Sequence, residues 1–362
     1  MPGLVQTLIF RRGSAQGLMV EIRKDYFTEK LAVILPDRGL KPGQVIQQKT
    51  EKCNFCPGNE EMTFPADLVL VKRGDTLLKQ TDSEDNIIKN WSVRIFLAKN
   101  PFVTPNAPPS YGESPHYSEP AVGYHYVLVA TPKHDQSFPK IDTEQWTNIL
   151  ASLQDKVRWL YSQKGVSYVL VYVNSENEGP PTSVHPNIQI LTTPSVPPAV
   201  EREADTVQSS LNDLGVCPMC QVVGTETGGP RQILATDFFI AFAPWVSTHA
   251  FEFWIYPKRH MTSLLKLSQK EMMDLSLMLR STLGGLAKAL GSPSFTMVFH
   301  SSSEKKTTKQ IHWHIEVYPK REKWTGLELG GGIYVSDVSP ESAAQVLGAS
   351  SRKELAQLVG IK

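Results

Sequence analysis

The alternation of apolar and polar positions predicts short β-strands whose polar side chains share one face. In Ser183–Gln189 polar residues alternate with apolar ones, and the same alternation recurs in Ile311–Glu316. Because successive side chains on a strand point to opposite faces, this spacing brings the polar residues of each segment together. Two such segments in one chain predict a duplicated site.

Other segments predict further strands and two long amphipathic helices. One helix begins after Asp142 or Thr143, either of which can cap it, and the second spans roughly 268 to 290. The Pro-, Ser- and Tyr-rich residues 104–120 predict a surface loop, and the Pro-containing, charged residues 193–212 predict a linker. The remaining strands are predicted at Leu31–Leu35, Trp91–Phe96, Gly123–Ala130, Ser167–Val173, Phe238–Phe242, Phe251–Tyr256 and Phe295–Phe299.

Charge and hydropathy exclude several classes of protein. The net charge is +1 with 20% charged residues, and no basic stripe is present, so no nucleic-acid partner is expected. No apolar run reaches the roughly 18 residues needed to span a membrane. Met1–Leu18 contains no long apolar segment, so we expect no secretory signal. A cytoplasmic protein is the expectation, and its 362 residues are enough for two or three domains.

The four cysteines form two CxxC pairs, Cys53–Cys56 and Cys217–Cys220. In a reducing compartment such pairs predict metal sites before disulfides. A thioredoxin-like redox role is the alternative, and it fits poorly because each pair has histidines downstream to complete a site.

Histidine spacing supports an internal repeat. His134 and His185 are 51 positions apart, and His260 and His312 are 52 apart, with a predicted helix, strand and loop in each interval. The gap from the second cysteine to the first histidine is 78 positions in the first half and 40 in the second, which indicates an insertion in the first half. Two Cys and two His are a typical ligand set for a structural tetrahedral zinc ion. The alternative is two buried CxxC turns with unrelated core histidines. The two predicted zinc sites are Cys53, Cys56, His134 and His185, and Cys217, Cys220, His260 and His312.

Several motifs resemble those of the galactose-1-phosphate uridylyltransferase family of the histidine-triad superfamily, including its ADP-glucose phosphorylase-like branch. The resemblance covers about residues 20 to 348. The motifs are Cys53–Glu60, Pro132–Asp135, His185–Gln189, Glu252–His260, His312–Lys320, Gly326–Glu328 and Pro340–Ala344.

The resemblance implies an α+β fold of two tandem histidine-triad-like repeats, each an antiparallel sheet with a packed helix. We place the repeats at residues 19–195 and 213–348. It also implies ping-pong transfer of a nucleotidyl group between a nucleoside diphosphate sugar and a sugar 1-phosphate, often in a homodimer. The middle residue of the first His strand would be the nucleophile, and Gln189 would steady the phosphoryl oxygens. The implied substrate contacts are Arg38, Lys41, Asn100, Asn174, Lys323 and Glu328.

The sequence departs from the family pattern at the nucleophile position, which is Asn187. An amide nitrogen is delocalised into its carbonyl and is a poor nucleophile at phosphorus. The preceding segment, Ser175–Thr182, carries two glutamates and two prolines where the family has a Gly-rich run, so backbone donors are lost and negative charge is added. His314 occupies the equivalent position of the second segment and is an alternative catalytic candidate.

Two functions of different classes follow. The chain is either a hexose-1-phosphate nucleotidylyltransferase, transferring a uridylyl or adenylyl group without the usual intermediate, or an inactive zinc-stabilised protein that binds nucleotide sugars. The retained ligand and substrate positions favour the enzyme, whereas Asn187 and the altered loop favour the binding protein. An engineered substitution at Asn187 that traps a substrate is a third interpretation, and the altered loop argues against it.

Overall fold

The fold is α+β and is organised around one long antiparallel sheet. The computed structural model describes residues 20–35, 52–74, 76–176, 185–320 and 323–360. Within these ranges no helix is long and apolar enough to cross a membrane. The strands are β1 (Glu21–Lys24), β2 (Leu31–Ile34), β3 (Leu68–Arg73), β4 (Thr76–Gln80), β5 (Trp91–Leu97), β6 (Ser118–Pro120), β7 (His125–Val129), β8 (Tyr168–Ser175), β9 (Asn187–Thr193), β10 (Gln232–Ala235), β11 (Phe239–Phe242), β12 (Phe253–Pro257), β13 (Phe295–His300) and β14 (His314–Pro319).

The long sheet has the same strand order on either side of its centre. In the described residues it runs β10-β11-β12-β14-β13-β8-β9-β7-β5-β3-β4, and β2-β1-β6 form a separate small sheet. Strands β8 and β13 meet antiparallel at the centre, with Phe295 opposite Ser175. Outward from this join, β8-β9-β7-β5-β3 matches β13-β14-β12-β11-β10, which is the arrangement that a tandem repeat produces. The two halves share one continuous sheet, and the boundaries 19–195 and 213–348 stay a prediction.

Both predicted long helices are present. The helices are α1 (Thr143–Tyr161), α2 (Pro198–Leu214), α3 (Pro218–Glu226), α4 (Gln269–Leu290), α5 (Gly326–Gly331) and α6 (Pro340–Leu358). The side chain of Asp142 caps α1 by accepting a hydrogen bond from the backbone N–H of Gln145. Helix α4 begins with a capping box of Ser268 and Glu271, and it ends at Gly291 with φ +71°. The apolar faces of α1 and α4 join the buried strand residues Ile188 and Ile190 in the main core, so the opposite face of β9 is left for the polar side chains.

The prediction of a linker over 193–212 is wrong for most of its length, because Pro198–Leu214 forms helix α2. Pro198 is tolerated at the first helical position because no intrahelical partner is needed there. Val200 and Ala204, one helical turn apart, pack with Tyr168 and Ile311. The charged residues that indicated a linker lie mainly on the solvent side of this helix.

Glu271 joins the start of α4 to the segment that carries His260. Its buried carboxylate accepts hydrogen bonds from Arg259 Nε at 2.5 Å and from the backbone N–H of Ser268 at 2.8 Å. The hydrogen bond from Arg259 is the largest cause that lowers the pKa of Glu271 to about 2. Since the folded-state pKa lies below the unfolded value of 4.5, the stabilisation is complete above that pH and is lost as the pH falls towards 2.

A Glu271→Gln variant is therefore expected to lower the free energy of unfolding at pH 7 by about 1–2 kcal/mol. Its difference from the parent protein should shrink as the pH falls below 4.5. Urea unfolding at pH 7, 5 and 3.5 measures both effects. Glu144→Gln is the matched control, because Glu144 also lies in a first helical turn but is 63% exposed in its side chain and should matter little. An equal loss in the two variants would contradict the prediction.

Candidate functional site

Strand β9 presents its polar side chains to one face, as the alternation predicts. Asn187 and Gln189 are half-buried, whereas Ile188 and Ile190 between them are buried in the main core. Strand β9 pairs with β8 on one side and with β7 on the other. The polar face is therefore the centre of a surface made by three adjacent strands.

A cavity of about 500 Å³ lies on this surface. Four predicted site residues line it together, namely Asn100, Asn174, Asn187 and Gln189. Its other lining residues include Lys99, His125, Tyr172 and Glu176, and the apolar side chains Phe55, Met62, Phe96, Phe102 and Val127. Such a mixture of an apolar wall and a few converging polar groups is typical of a pocket for a small molecule.

Hydrogen bonds link the polar side chains of the cavity wall in a chain. The backbone N–H of Phe102 donates to His125 Nδ1 at 3.1 Å, and His125 Nε2 lies 2.8 Å from Gln189 Oε1. Gln189 Nε2 then donates to Asn187 Oδ1, and Asn187 Nδ2 donates to the His185 carbonyl at 2.9 Å. Sequence analysis missed His125, because only the pairing of β7 with β9 brings it beside Gln189.

The first predicted metal set converges directly below β9. The Cys56 Sγ atom lies 3.3 Å from His134 Nδ1 and 3.7 Å from His185 Nδ1. The Cys53 Sγ atom lies 3.8 Å from the same His185 nitrogen. His185 Nε2 lies 2.6 Å from the Thr131 carbonyl, so it donates there and leaves Nδ1 for a metal.

The second predicted metal set converges at the equivalent place in the other half. Cys220 Sγ lies 3.3 Å from His260 Nδ1 and 3.5 Å from His312 Nδ1. Cys217 lies beside them, at the N-cap of α3, and the four ligand atoms are all within 4.8 Å of one another, as they are in the first set. Within each predicted quartet, the four ligand atoms therefore lie close together.

The donor atoms fit zinc. Tetrahedral bonds of about 2.0–2.3 Å put neighbouring ligands about 3.5 Å apart, which is the spacing found between sulfur and nitrogen in both sets. Burial, and then the neighbouring cysteine, raise the pKa of Cys56 and of Cys220 to about 11. A divalent cation would convert these thiols to thiolates, while burial lowers the pKa of His185 and keeps it neutral as a ligand must be.

Comparison with known proteins places the chain in context. Residues 104–197 match the family model for the N-terminal domain of galactose-1-phosphate uridyl transferase. An ADP-glucose phosphorylase from Arabidopsis thaliana is 26% identical over 350 residues, which cover 92% of this chain and 94% of that protein. A galactose-1-phosphate uridylyltransferase from Thermotoga maritima is 26% identical over 338 residues, covering 91% and 98%. A solved uridylyltransferase structure, 28% identical, superposes with a TM-score of 0.75 and covers 92% of this chain and 99% of that one.

The chain is similar to members of the galactose-1-phosphate uridylyltransferase family. The resemblance predicted from its motifs is confirmed, and so is the α+β fold with antiparallel sheets. The named relatives are a uridylyltransferase and an ADP-glucose phosphorylase, which supports a nucleotidyltransferase-type activity on sugar phosphates.

His314 occupies in β14 the position that Asn187, the predicted nucleophile position, occupies in β9. It is only 1% exposed and stacks on Tyr256 with 4.4 Å between the ring centroids. Its Nε2 lies 3.3 Å from Glu316, and Glu203 of α2 lies 3.7 Å from its Nδ1. Because these groups enclose the imidazole, its burial disfavours the catalytic role that its sequence position predicts.

Around His314 lies a third cluster of possible ligands, Glu203, His300 and His314 itself. His300 contacts Glu203 through Nδ1 at 3.2 Å and Glu316 through Nε2 at 3.1 Å. Burial opposes a charge on His300, but the two carboxylates outweigh it and raise its pKa to about 10. The region of the second half that corresponds to the cavity is therefore filled by an ionic network that includes α2.

The other predicted substrate residues do not line the cavity. Lys323 is exposed, and Glu328 accepts hydrogen bonds from the backbone N–H and the hydroxyl of Thr325 in a capping box at the start of α5. Arg38, Lys41 and residues 177–182 of the altered segment lie outside the described residues. The roles of all these residues stay predictions.

Proposed function

We propose that the chain binds a nucleoside diphosphate sugar and a hexose 1-phosphate at the β9 cavity and transfers a uridylyl or adenylyl group between them. Two zinc ions, one in each Cys–His quartet, would each stabilise one half of the fold. The observation that carries the proposal is that Asn100, Asn174, Asn187 and Gln189 share one cavity beside the first quartet. The activities of the named relatives support the substrate class.

The transfer would proceed by direct displacement. In that step a phosphate oxygen of the hexose 1-phosphate attacks the α-phosphorus, and the bond from this phosphorus to the departing sugar phosphate breaks. No covalent intermediate forms, because both polar ends of the Asn187 amide are engaged in hydrogen bonds and its nitrogen is not nucleophilic. The protein's part is to bind and orient the two substrates.

A second candidate function is nucleotide-sugar binding without catalysis. The observation that favours it is Glu176, whose carboxylate is on the cavity rim with Lys320 as a partner at 3.7 Å. A negative charge near the phosphates weakens the binding of an anionic transition state.

Radiolabelled substrate separates these functions. The protein is incubated with UDP-glucose or ADP-glucose labelled at the α-phosphate, with and without galactose 1-phosphate. We expect labelled product only when both substrates are present, and intersecting double-reciprocal plots. We expect no acid-labile label on the denatured protein. Binding without product supports the second candidate. Label retained on the protein would contradict the direct route, and absence of binding would contradict both functions.

A further inference from the structure

A second cavity of about 230 Å³, the end cavity, lies at the C-terminal end of β8 and the N-terminal end of β9. Its lining comes from residues 134–140, which follow β7, from the ends of these two strands, and from Ser292 in the turn between α4 and β13. Sequence analysis did not predict it, because these segments are far apart in the chain. It has less than half the volume of the β9 cavity and suits a ligand smaller than a nucleotide sugar.

The two cavities meet at the start of β9. Asn174, Glu176 and Asn187 line both of them. From this junction the β9 cavity extends over β7 and β5, whose residues Val127 and Phe96 line it, whereas the end cavity extends towards residues 134–140. Two ligands, one in each cavity, can therefore both reach Asn187.

Hydrogen bonds and core packing hold residues 134–140 in place. Gln136 Oε1 accepts a hydrogen bond from the Thr131 hydroxyl at 2.8 Å, and Gln136 Nε2 donates to the Lys140 carbonyl at 3.1 Å. Phe138 is 2% exposed and packs in the main core. The wall of the end cavity is therefore formed before any ligand binds, as the walls of small-molecule sites usually are.

The polar groups of the end cavity suit a sugar phosphate. Three serines line it, namely Ser137, Ser175 and Ser292. Lys140 adds an ammonium group that can bind phosphoryl oxygens, and the carboxylate of Asp135 can accept hydrogen bonds from sugar hydroxyls. Glu176 at the junction would repel a phosphate, but Lys320 lies 3.7 Å from its carboxylate and offsets part of that charge.

Direct displacement requires two sugar phosphates to be bound at the same time. The acceptor attacks while the departing sugar phosphate is still bonded to the α-phosphorus. Because the attacking and leaving oxygens lie roughly in line on opposite sides of the phosphorus, the two sugar phosphates cannot share one subsite. A covalent route would need only one subsite, since the first sugar phosphate leaves before the acceptor arrives. The proposed route therefore needs a further cavity that reaches the same phosphorus.

We propose that the end cavity binds the acceptor, a hexose 1-phosphate, while the β9 cavity holds the nucleoside diphosphate sugar. This rests on the proposed function and deepens it by giving the two substrates separate sites. At the junction a phosphate oxygen of the acceptor forms the new bond to the α-phosphorus, and the bond from this phosphorus to the departing sugar phosphate breaks. Because the amide of Asn187 does not attack phosphorus, that side of the phosphorus is left to the acceptor.

Calorimetric titration of glucose 1-phosphate into the full chain saturated with UDP-glucose or ADP-glucose tests the end cavity. Transfer between glucose 1-phosphate and either nucleotide sugar returns the same two molecules, so binding can be measured at equilibrium. We expect one glucose 1-phosphate per chain, with an affinity that does not change when the nucleotide sugar is raised about tenfold further. An apparent affinity that falls in proportion to the nucleotide sugar would show competition for one site and would overturn the proposal.

Two variants alter the end cavity without touching the junction. Ser137→Leu fills it and should weaken glucose 1-phosphate binding at least about tenfold, and Lys140→Gln should weaken it at least about fivefold. Affinity for the nucleotide sugar should stay within about twofold of the parent value, which also shows that the variants are folded. Lys133→Gln is the matched control and should bind as the parent does, because Lys133 is an exposed lysine of the same segment and is not among the described residues that line the cavity. Parent-like binding of glucose 1-phosphate by both Ser137→Leu and Lys140→Gln would contradict the assignment.

Exchange of radiolabelled glucose 1-phosphate into UDP-glucose or ADP-glucose reports the proposed function separately. If label exchanges but the two ligands compete, the transfer function stands and the end cavity is wrong as the acceptor site. If both ligands bind together, Ser137→Leu loses glucose 1-phosphate and no label exchanges, the end cavity is right and the transfer function is wrong. A parent protein that binds neither ligand overturns both.

Discussion

A His260→Ala variant is expected to carry about one zinc ion per chain where the parent carries two, and to lose at least about 3 kcal/mol of unfolding free energy. His260 is an exposed residue, so an alanine there removes little packing and the loss reports the metal. Without the ion, two thiols and the buried His312 are left clustered with no cation between them. Inductively coupled plasma mass spectrometry measures the zinc content, and urea unfolding measures the loss of unfolding free energy.

His116→Ala is the matched control, because His116 is an exposed histidine outside both quartets whose ring packs edge-on against the Tyr26 ring. It should keep two zinc ions and parent-like stability. His134→Ala should repeat the loss at the first quartet, so that the double variant His134→Ala/His260→Ala carries none. A parent protein with one zinc ion or none would overturn the duplicated-site interpretation, and two ions in His260→Ala would remove His260 from the ligand set.

Regular local patterns account for the parts of the fold that sequence analysis predicted. Helices α1 and α4 combine long apolar periodicity with capping residues at Asp142 and Ser268, so both signals point to the same boundaries. The alternation in β9 is equally local, since its apolar positions enter the core and its polar positions do not. The Cys–His quartets also follow from residue type and order alone, and the structure places their ligand atoms within 4.8 Å.

Long-range pairing accounts for what sequence analysis did not predict. The join between β8 and β13 brings Ser175 opposite Phe295, and neither segment carries a local signal for the other. The same is true of His125, whose partner Gln189 is set by strand register. Glu203 looked like one of many charges in a linker, yet α2 holds it 3.2 Å from His300. The charged composition of residues 193–212 predicts an exposed segment. The packing of Val200 and Ala204, which composition does not indicate, places α2 against the core instead.

The continuous sheet gives the two halves equivalent positions with different occupants. His314 and Asn187 each contact the carbonyl two residues earlier in the chain, both at 2.9 Å. In the second half the contact uses the imidazole Nδ1, and Nε2 then faces the Glu316 carboxylate at 3.3 Å, two residues further along the strand. The backbone of the first half offers the same acceptor, His185 O, so an imidazole at position 187 would be held in the same orientation.

An Asn187→His variant is therefore expected to become covalently nucleotidylated by α-labelled UDP-glucose or ADP-glucose, and to gain at least about 100-fold in transfer rate. With Nδ1–H donating to His185 O, the Nε2 lone pair would face the cavity, where Gln189 can still contact the phosphoryl oxygens. Acid-labile label on the denatured protein and a change from intersecting to parallel double-reciprocal plots are the measurements. Asn187→Ala is the control and should stay unlabelled. If Asn187→His also stays unlabelled, the altered Ser175–Thr182 segment is the larger obstacle, because the nucleophile alone would then be insufficient for the covalent route.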